Sequence, residues 1–186
     1  MRSSLEATEL SDRPVIFSHS GAYSVCAHIR NIRDDQIRAC AASGGVLGVV
    51  GVGAFLGDVE ARAESVFRHI DYIAALVGPE HVGIGTDYVR DMTSIWEAIR
   101  ASKEVAWPDP TGTQLYAGVC FRPEQLTELI DIMLIHGYSH GGNKGNFGCQ
   151  FPADLCDCRR PIDPESGELL KSKFSQNCVV FHPAVC

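Results

Sequence analysis

The 186-residue sequence predicts an α/β fold built on parallel strands, and three observations carry that prediction. Strand-like and helix-like segments alternate at short intervals. The strand-like segments are short apolar runs, and two of them stop at a polar residue, His19 and Asp87. Alternation of this kind is the pattern of βαβ units, and a run too apolar to alternate suits a strand covered on both faces.

The first strand is expected at residues 14–18, where Pro14 is tolerated at a strand start. Asp34 and Asp35 then cap a helix through DDQIRACAAS, which Gly44 and Gly45 stop. The run VLGVVGVGAF, residues 46–55, reads as a continuous buried strand. From Val59 to Val77, Val66, Ile70, Ile73 and Val77 recur at helical spacing, and Gly78-Pro79 closes the segment. HVGIGTD is the next strand, ending at Asp87. A helix follows around Ser94 to Lys103, then a loop through WPDPTGTQLYAG, marked by its Pro and Gly. The last helix, PEQLTELIDIMLIHG, has Pro123 in its first turn, one face formed by Leu126, Leu129, Ile130, Met133 and Leu134, and Gly137 as its stop. Residues 140–186 lack periodicity and concentrate Gly, Pro, Cys and charge, so an irregular Cys-rich tail is expected after a domain of residues 1–139.

Composition narrows the function. A net charge of −7, with pI near 5.4, disfavours nucleic acid and anionic membrane surfaces as partners. No apolar run reaches the roughly 18–20 residues of a membrane span, and the first residues, MRSSLEATELSDR, contain no apolar signal core. Of the eight cysteines, Cys26, Cys40 and Cys120 read as small buried residues. Cys149, Cys156, Cys158, Cys178 and Cys186 admit disulfides or a zinc cluster, but their spacing lacks the paired CxxC knuckles of structural zinc sites.

In parallel α/β folds, function collects beyond the C-terminal ends of the strands. An imidazole at one such end and a carboxylate at another can face one ligand. His19 offers a ring nitrogen to a divalent metal such as zinc, and Asp87 can bind metal or take a proton from water. Arg30, one loop after His19, has the forked guanidinium that suits a substrate carboxylate, although alone it reads as a solvated loop residue. His28 beside it, and His69, His81 and His136, read as exposed or structural; Trp96 and Trp107 read as packing. A competing motif, GVGAFLG at residues 51–57 with Asp71 downstream, has the form of a nucleotide-phosphate turn, but a lone glycine pattern is weak.

PVIFSHSGAYSVCAHIRN, DDQIR, GGVLGVV and HIDYIAALVGPEHVGIGTDY, in that order and spacing, resemble the second half of the membrane (renal-type) dipeptidases. These are zinc peptidases among the amidohydrolase-type metal-dependent hydrolases. The resemblance covers about residues 3–139, and PEQLTELIDIMLIHGYS resembles the family's last helix. It implies the C-terminal portion, about the last three strands, of a (β/α)8 TIM-type barrel with two zinc ions per complete member. It implies a dipeptide substrate, hydrolysed by a metal-activated water. By the same resemblance His19 is a zinc ligand, Asp87 both a metal ligand and the catalytic proton carrier, and Arg30 the substrate-binding residue.

The family's remaining ligands, a His-x-Asp pair, a bridging Glu and a further His, precede what matches Met1. A catalytic zinc normally needs three protein ligands. The expectation is therefore a truncated chain, weak or inactive alone, whose bare strand edges favour self-association. A noncatalytic remnant or interaction protein on the same half barrel is the alternative. A cytoplasmic location is expected.

Overall fold

The structure is a computed structural model that describes residues 2–101, 117–138 and 179–181. Its strands are β1 (Val15–Ser20), β2 (Val46–Val49), β3 (Val82–Ile84) and β4 (Val179–Phe181). They form one parallel sheet in the order β3-β2-β1-β4. Its helices are α1 (Arg2–Leu10), α2 (Asp34–Ala42), the single turn α3 (Gly53–Leu56), α4 (Ala63–Val77), α5 (Met92–Ala101) and α6 (Leu126–Ile135). The expected parallel α/β arrangement is present.

Register explains the core. Phe17 pairs with Leu47 and Leu47 with Val82, so one apolar row crosses three strands, and all three side chains are buried. Against this row pack Ile37 and Cys40 of α2, Val66, Ile70 and Ile73 of α4, and Leu129 and Met133 of α6. Removing such side chains from water is the main favourable contribution to folding. Burial pushes the Cys40 thiol up to about 12, and its Sγ–H meets the Val15 carbonyl at 3.1 Å.

Several expectations are corrected. The apolar run 46–55 is not one strand: β2 ends at Val49, and Gly53–Leu56 turn into helix. Beyond β2 the chain pairs instead with residues 119–121, with Gly53 N–H donating to the Val119 carbonyl and Phe121 N–H to Gly51. These bonds satisfy the backbone while α3 turns away. Helix α2 starts after Arg33; Asp34 is a first-turn residue that accepts hydrogen bonds from Tyr72 and Ser24. Helix α4 begins at Ala63 rather than Val59, because Asp58 gathers the preceding turn. On α6 only Leu129 and Met133 are buried; Ile130 and Leu134 are exposed, since α6 packs on α4 along a narrower stripe than the sequence suggests. Within residues 140–186, Val179–Phe181 are strand, parallel to β1. Trp107, Lys103 and the five cysteines from Cys149 onward lie outside the described residues.

Candidate active site

The sheet brings His19 and Asp87 together through close packing of strand ends. His19 is the penultimate residue of β1. Backbone pairing continues past β3, with Gly85 N–H donating to Val49 and Gly51 N–H to Thr86. Asp87 then turns the chain with a left-handed φ of 51°, a conformation in which Asp is enriched among non-glycine residues. Gly85 has no substitute here, because a Cβ would collide with the Ser18 carbonyl oxygen. That approach sets His19, one residue beyond Ser18, beside Asp87, two beyond Gly85.

His19 Nε2 lies 3.8 Å from Asp87 Oδ2. The separation exceeds a hydrogen bond. Zinc–ligand bonds are about 2.0–2.2 Å, so two donors this far apart can share one ion. The other ring nitrogen, Nδ1, lies 2.9 Å from Ser18 Oγ; an imidazole held at one nitrogen presents the other in a defined direction. His19 is buried and Asp87 is half exposed, so the pair sits at the rim of the sheet rather than in the core. The donors fit two positions of a metal shell. Among the described residues, no group of three or more His, Cys, Asp or Glu side chains is gathered to complete one.

Arg30 reaches the same end of the sheet from loop 21–32. Its guanidinium lies over the Phe55 ring, 5.9 Å from the centroid. Burial draws its pKa below the usual guanidinium value, and the Asp87 carboxylate opposes that shift. Arg30 is thus neither freely solvated nor remote: it shares an electrostatic environment with Asp87. His28 is buried as well, contrary to its exposed reading, with its ring 4.7 Å from Phe55 and its Nδ1 accepting from Arg30 N–H at 3.2 Å.

Two residues that sequence reading missed hold this loop. Asn31 is 2% exposed; its Oδ1 accepts from Gly21 N–H, and its Nδ2 donates to the carbonyls of Cys26 and Phe55. His69 is fully buried in α4 rather than on a surface helix, and its Nδ1 accepts from Ala22 N–H at 2.9 Å. The signal for His69 was present: it lies three residues after Val66 and four before Ile73, on the buried stripe. For Asn31 no periodic signal exists, because a loop amide is recruited by carbonyls distant in sequence.

The glycine motif at 51–57 forms no phosphate cradle. A Cβ on Gly51 would meet Phe121, and one on Gly53 would meet the Asp58 and Val119 carbonyls, so these glycines serve backbone packing. Asp71 instead accepts from Tyr138 Oη at 3.0 Å. Trp96 is a packing residue as expected, buried, with its indole N–H donating to the Gly118 carbonyl.

A family model described as membrane dipeptidase (peptidase family M19) matches residues 2–105. Human dipeptidase 3 is 38% identical over 81 residues, 43% of this chain and 17% of that protein. Among solved structures, a Rhodobacter sphaeroides metallopeptidase liganded with a phosphinate mimic of the dipeptide L-Ala-D-Ala superposes with a TM-score of 0.51 at 26% identity. That match covers 74% of this chain and 34% of the other. The dipeptidase AC, a metallopeptidase of family M19, shares the fold with a TM-score of 0.54 at 23% identity, over 75% of this chain and 35% of that one. The chain spans less than a third of the curated relatives it matches, 17% of the human protein and 30% of a Klebsiella pneumoniae protein.

Proposed function

The chain belongs to the membrane dipeptidase family, peptidase family M19, and on that premise we propose that it carries the C-terminal part of a zinc-dependent dipeptidase site. The observation that supports this reading is the convergence of His19, Asp87 and Arg30 at one end of the parallel sheet.

In this reading Arg30 binds the free carboxylate of a dipeptide through its paired N–H donors. That contact orients the peptide bond toward His19 and Asp87. His19 and Asp87 hold the metal, with Ser18 fixing the imidazole. A divalent zinc ion, when bound, makes water more acidic and polarises the peptide carbonyl. Asp87 takes the proton of the attacking water and returns it to the amine as the C–N bond breaks. The water oxygen ends on the new carboxyl group, whose remaining proton passes to the released amine, so the products are a carboxylate and an ammonium and atoms and charge balance. The sheet is read as the last strands of a (β/α)8 barrel, whose sites lie at the same strand ends.

A second reading has its own observation. The described residues gather only two metal donors where a catalytic zinc commonly has three protein ligands, which favours weak metal binding and a noncatalytic or partner-dependent role. The two readings separate in one assay: the purified chain, saturated with zinc, is tested on alanyl-alanine beside its His19→Ala and Arg30→Ala variants. The dipeptidase reading expects slow hydrolysis that falls at least 100-fold with His19→Ala, and a raised KM with Arg30→Ala. Hydrolysis indifferent to both changes overturns the assignment, and no hydrolysis at all favours the second reading.

A further inference from the structure

Resting on the assignment of Arg30 to a substrate carboxylate, we infer that Asn31 and Phe55 are positioning residues that fix the reach from Arg30 to the His19–Asp87 pair, and so the length of substrate accepted. A guanidinium on a long side chain does not by itself measure a substrate. It measures one only if its root and its platform are both fixed relative to the reacting end.

Asn31 fixes the root. Its side chain makes three hydrogen bonds, at 3.0 Å from Gly21 N–H, 2.8 Å to the Cys26 carbonyl and 2.7 Å to the Phe55 carbonyl. Gly21 lies two residues beyond His19, Cys26 lies midway along the loop, and Phe55 lies in α3. One buried amide therefore ties the strand that delivers His19, the loop that carries Arg30, and the helix turn beneath them. The loop is also closed at its base, with Tyr23 N–H donating to the Ile32 carbonyl and Ile32 N–H to Gly21. A Cβ on Gly21 would strike the Asn31 side chain, so the amide sits directly against the backbone at the end of β1.

Phe55 fixes the platform. Its ring is buried and carries both the Arg30 guanidinium and the His28 imidazole. A cation held over an aromatic face gains attraction from the ring, which restricts where the guanidinium can lie. The same residue thus supports Arg30 with its ring and Asn31 with its carbonyl. Neither residue touches substrate in this arrangement; both act through Arg30.

The consequence is a fixed distance between carboxylate grip and reacting bond, as a dipeptide requires and a longer peptide does not satisfy. The test is binding by the full chain, read by chemical-shift titration. The probes are an alanyl-alanine analogue with a reduced central bond, its C-terminal amide, and the corresponding tripeptide analogue. Wild type is expected to favour the free dipeptide analogue over both others. Asn31→Ala and Phe55→Leu are each expected to reduce both preferences by at least fivefold, while the melting transition remains cooperative. If Asn31→Ala fails to fold, Phe55→Leu, which keeps apolar volume, decides. A folded variant that retains both preferences overturns the inference. Wild type that does not distinguish carboxylate from amide overturns instead the assignment of Arg30 on which it rests.

Discussion

His69 shows how one buried side chain sets a pH limit. Its Nδ1 accepts from Ala22 N–H, so the ring is neutral with its proton on Nε2, and burial lowers its pKa to about 4 while the Leu56 carbonyl acts in the opposite sense. The unfolded chain titrates near the ordinary imidazole value of about 6.5 and so takes up the proton first as pH falls. Stability is therefore complete above about pH 6.5 and declines toward pH 4, by up to about 3 kcal/mol. Urea midpoints measured between pH 7 and pH 4.5 should show this loss, and His69→Asn, less stable at pH 7, should show a flatter profile. An unchanged profile in the variant would assign the acid sensitivity elsewhere. The meeting of His19 and Asp87 was legible in the sequence, because strand ends are visible as residue types in order, whereas Arg30 alone read as a solvated loop residue and was singled out only by the family resemblance. The supports of these residues were less legible: His28, Asn31 and His69 are polar residues that the core accepts only because a specific backbone partner meets each.

At the scale of elements, α4 is organised by Asp58 before its first turn. The carboxylate accepts from Arg62 Nε at 3.0 Å, from Ser65 Oγ at 2.6 Å, and from the N–H groups of Glu60 and Arg62. The Arg62 contact, followed by those of Ser65 and the backbone, holds its pKa well below the usual carboxylate range against the opposing effect of burial. That contribution is present above the unfolded value near pH 4 and is lost as pH falls through the depressed folded value. Asp58→Asn should lower stability at pH 7 by about 2 kcal/mol, since a buried acceptor set for charged and neutral donors is weakened. On α6, Leu129→Ala should cost about 2–5 kcal/mol, whereas Ile130→Lys should stay within about 0.5 kcal/mol. Chemical denaturation of both tests the narrow stripe: equal losses would mean that Ile130 is buried after all. Helical periodicity located α4 and α6 well, because charges separate their apolar positions. It misread 46–55, because a glycine-rich apolar run carries no signal for where strand gives way to the α3 turn.

At the scale of the molecule, the parallel sheet has β3 at one edge and β4 at the other. Among the described residues no further strand pairs with β3, where Ile84 is 37% exposed, and an unpaired strand edge templates association. Light scattering across a concentration series should detect self-association, reduced by Ile84→Lys; concentration-independent monomers would contradict it. We propose that His19 and Asp87 supply two positions of a metal site that the described residues do not complete. Zinc titration of the purified chain by competition with a chelating dye tests it most directly. Weak binding, micromolar or poorer, is expected, abolished by His19→Ala and by Asp87→Asn. Nanomolar zinc retained by the His19→Ala variant would contradict it.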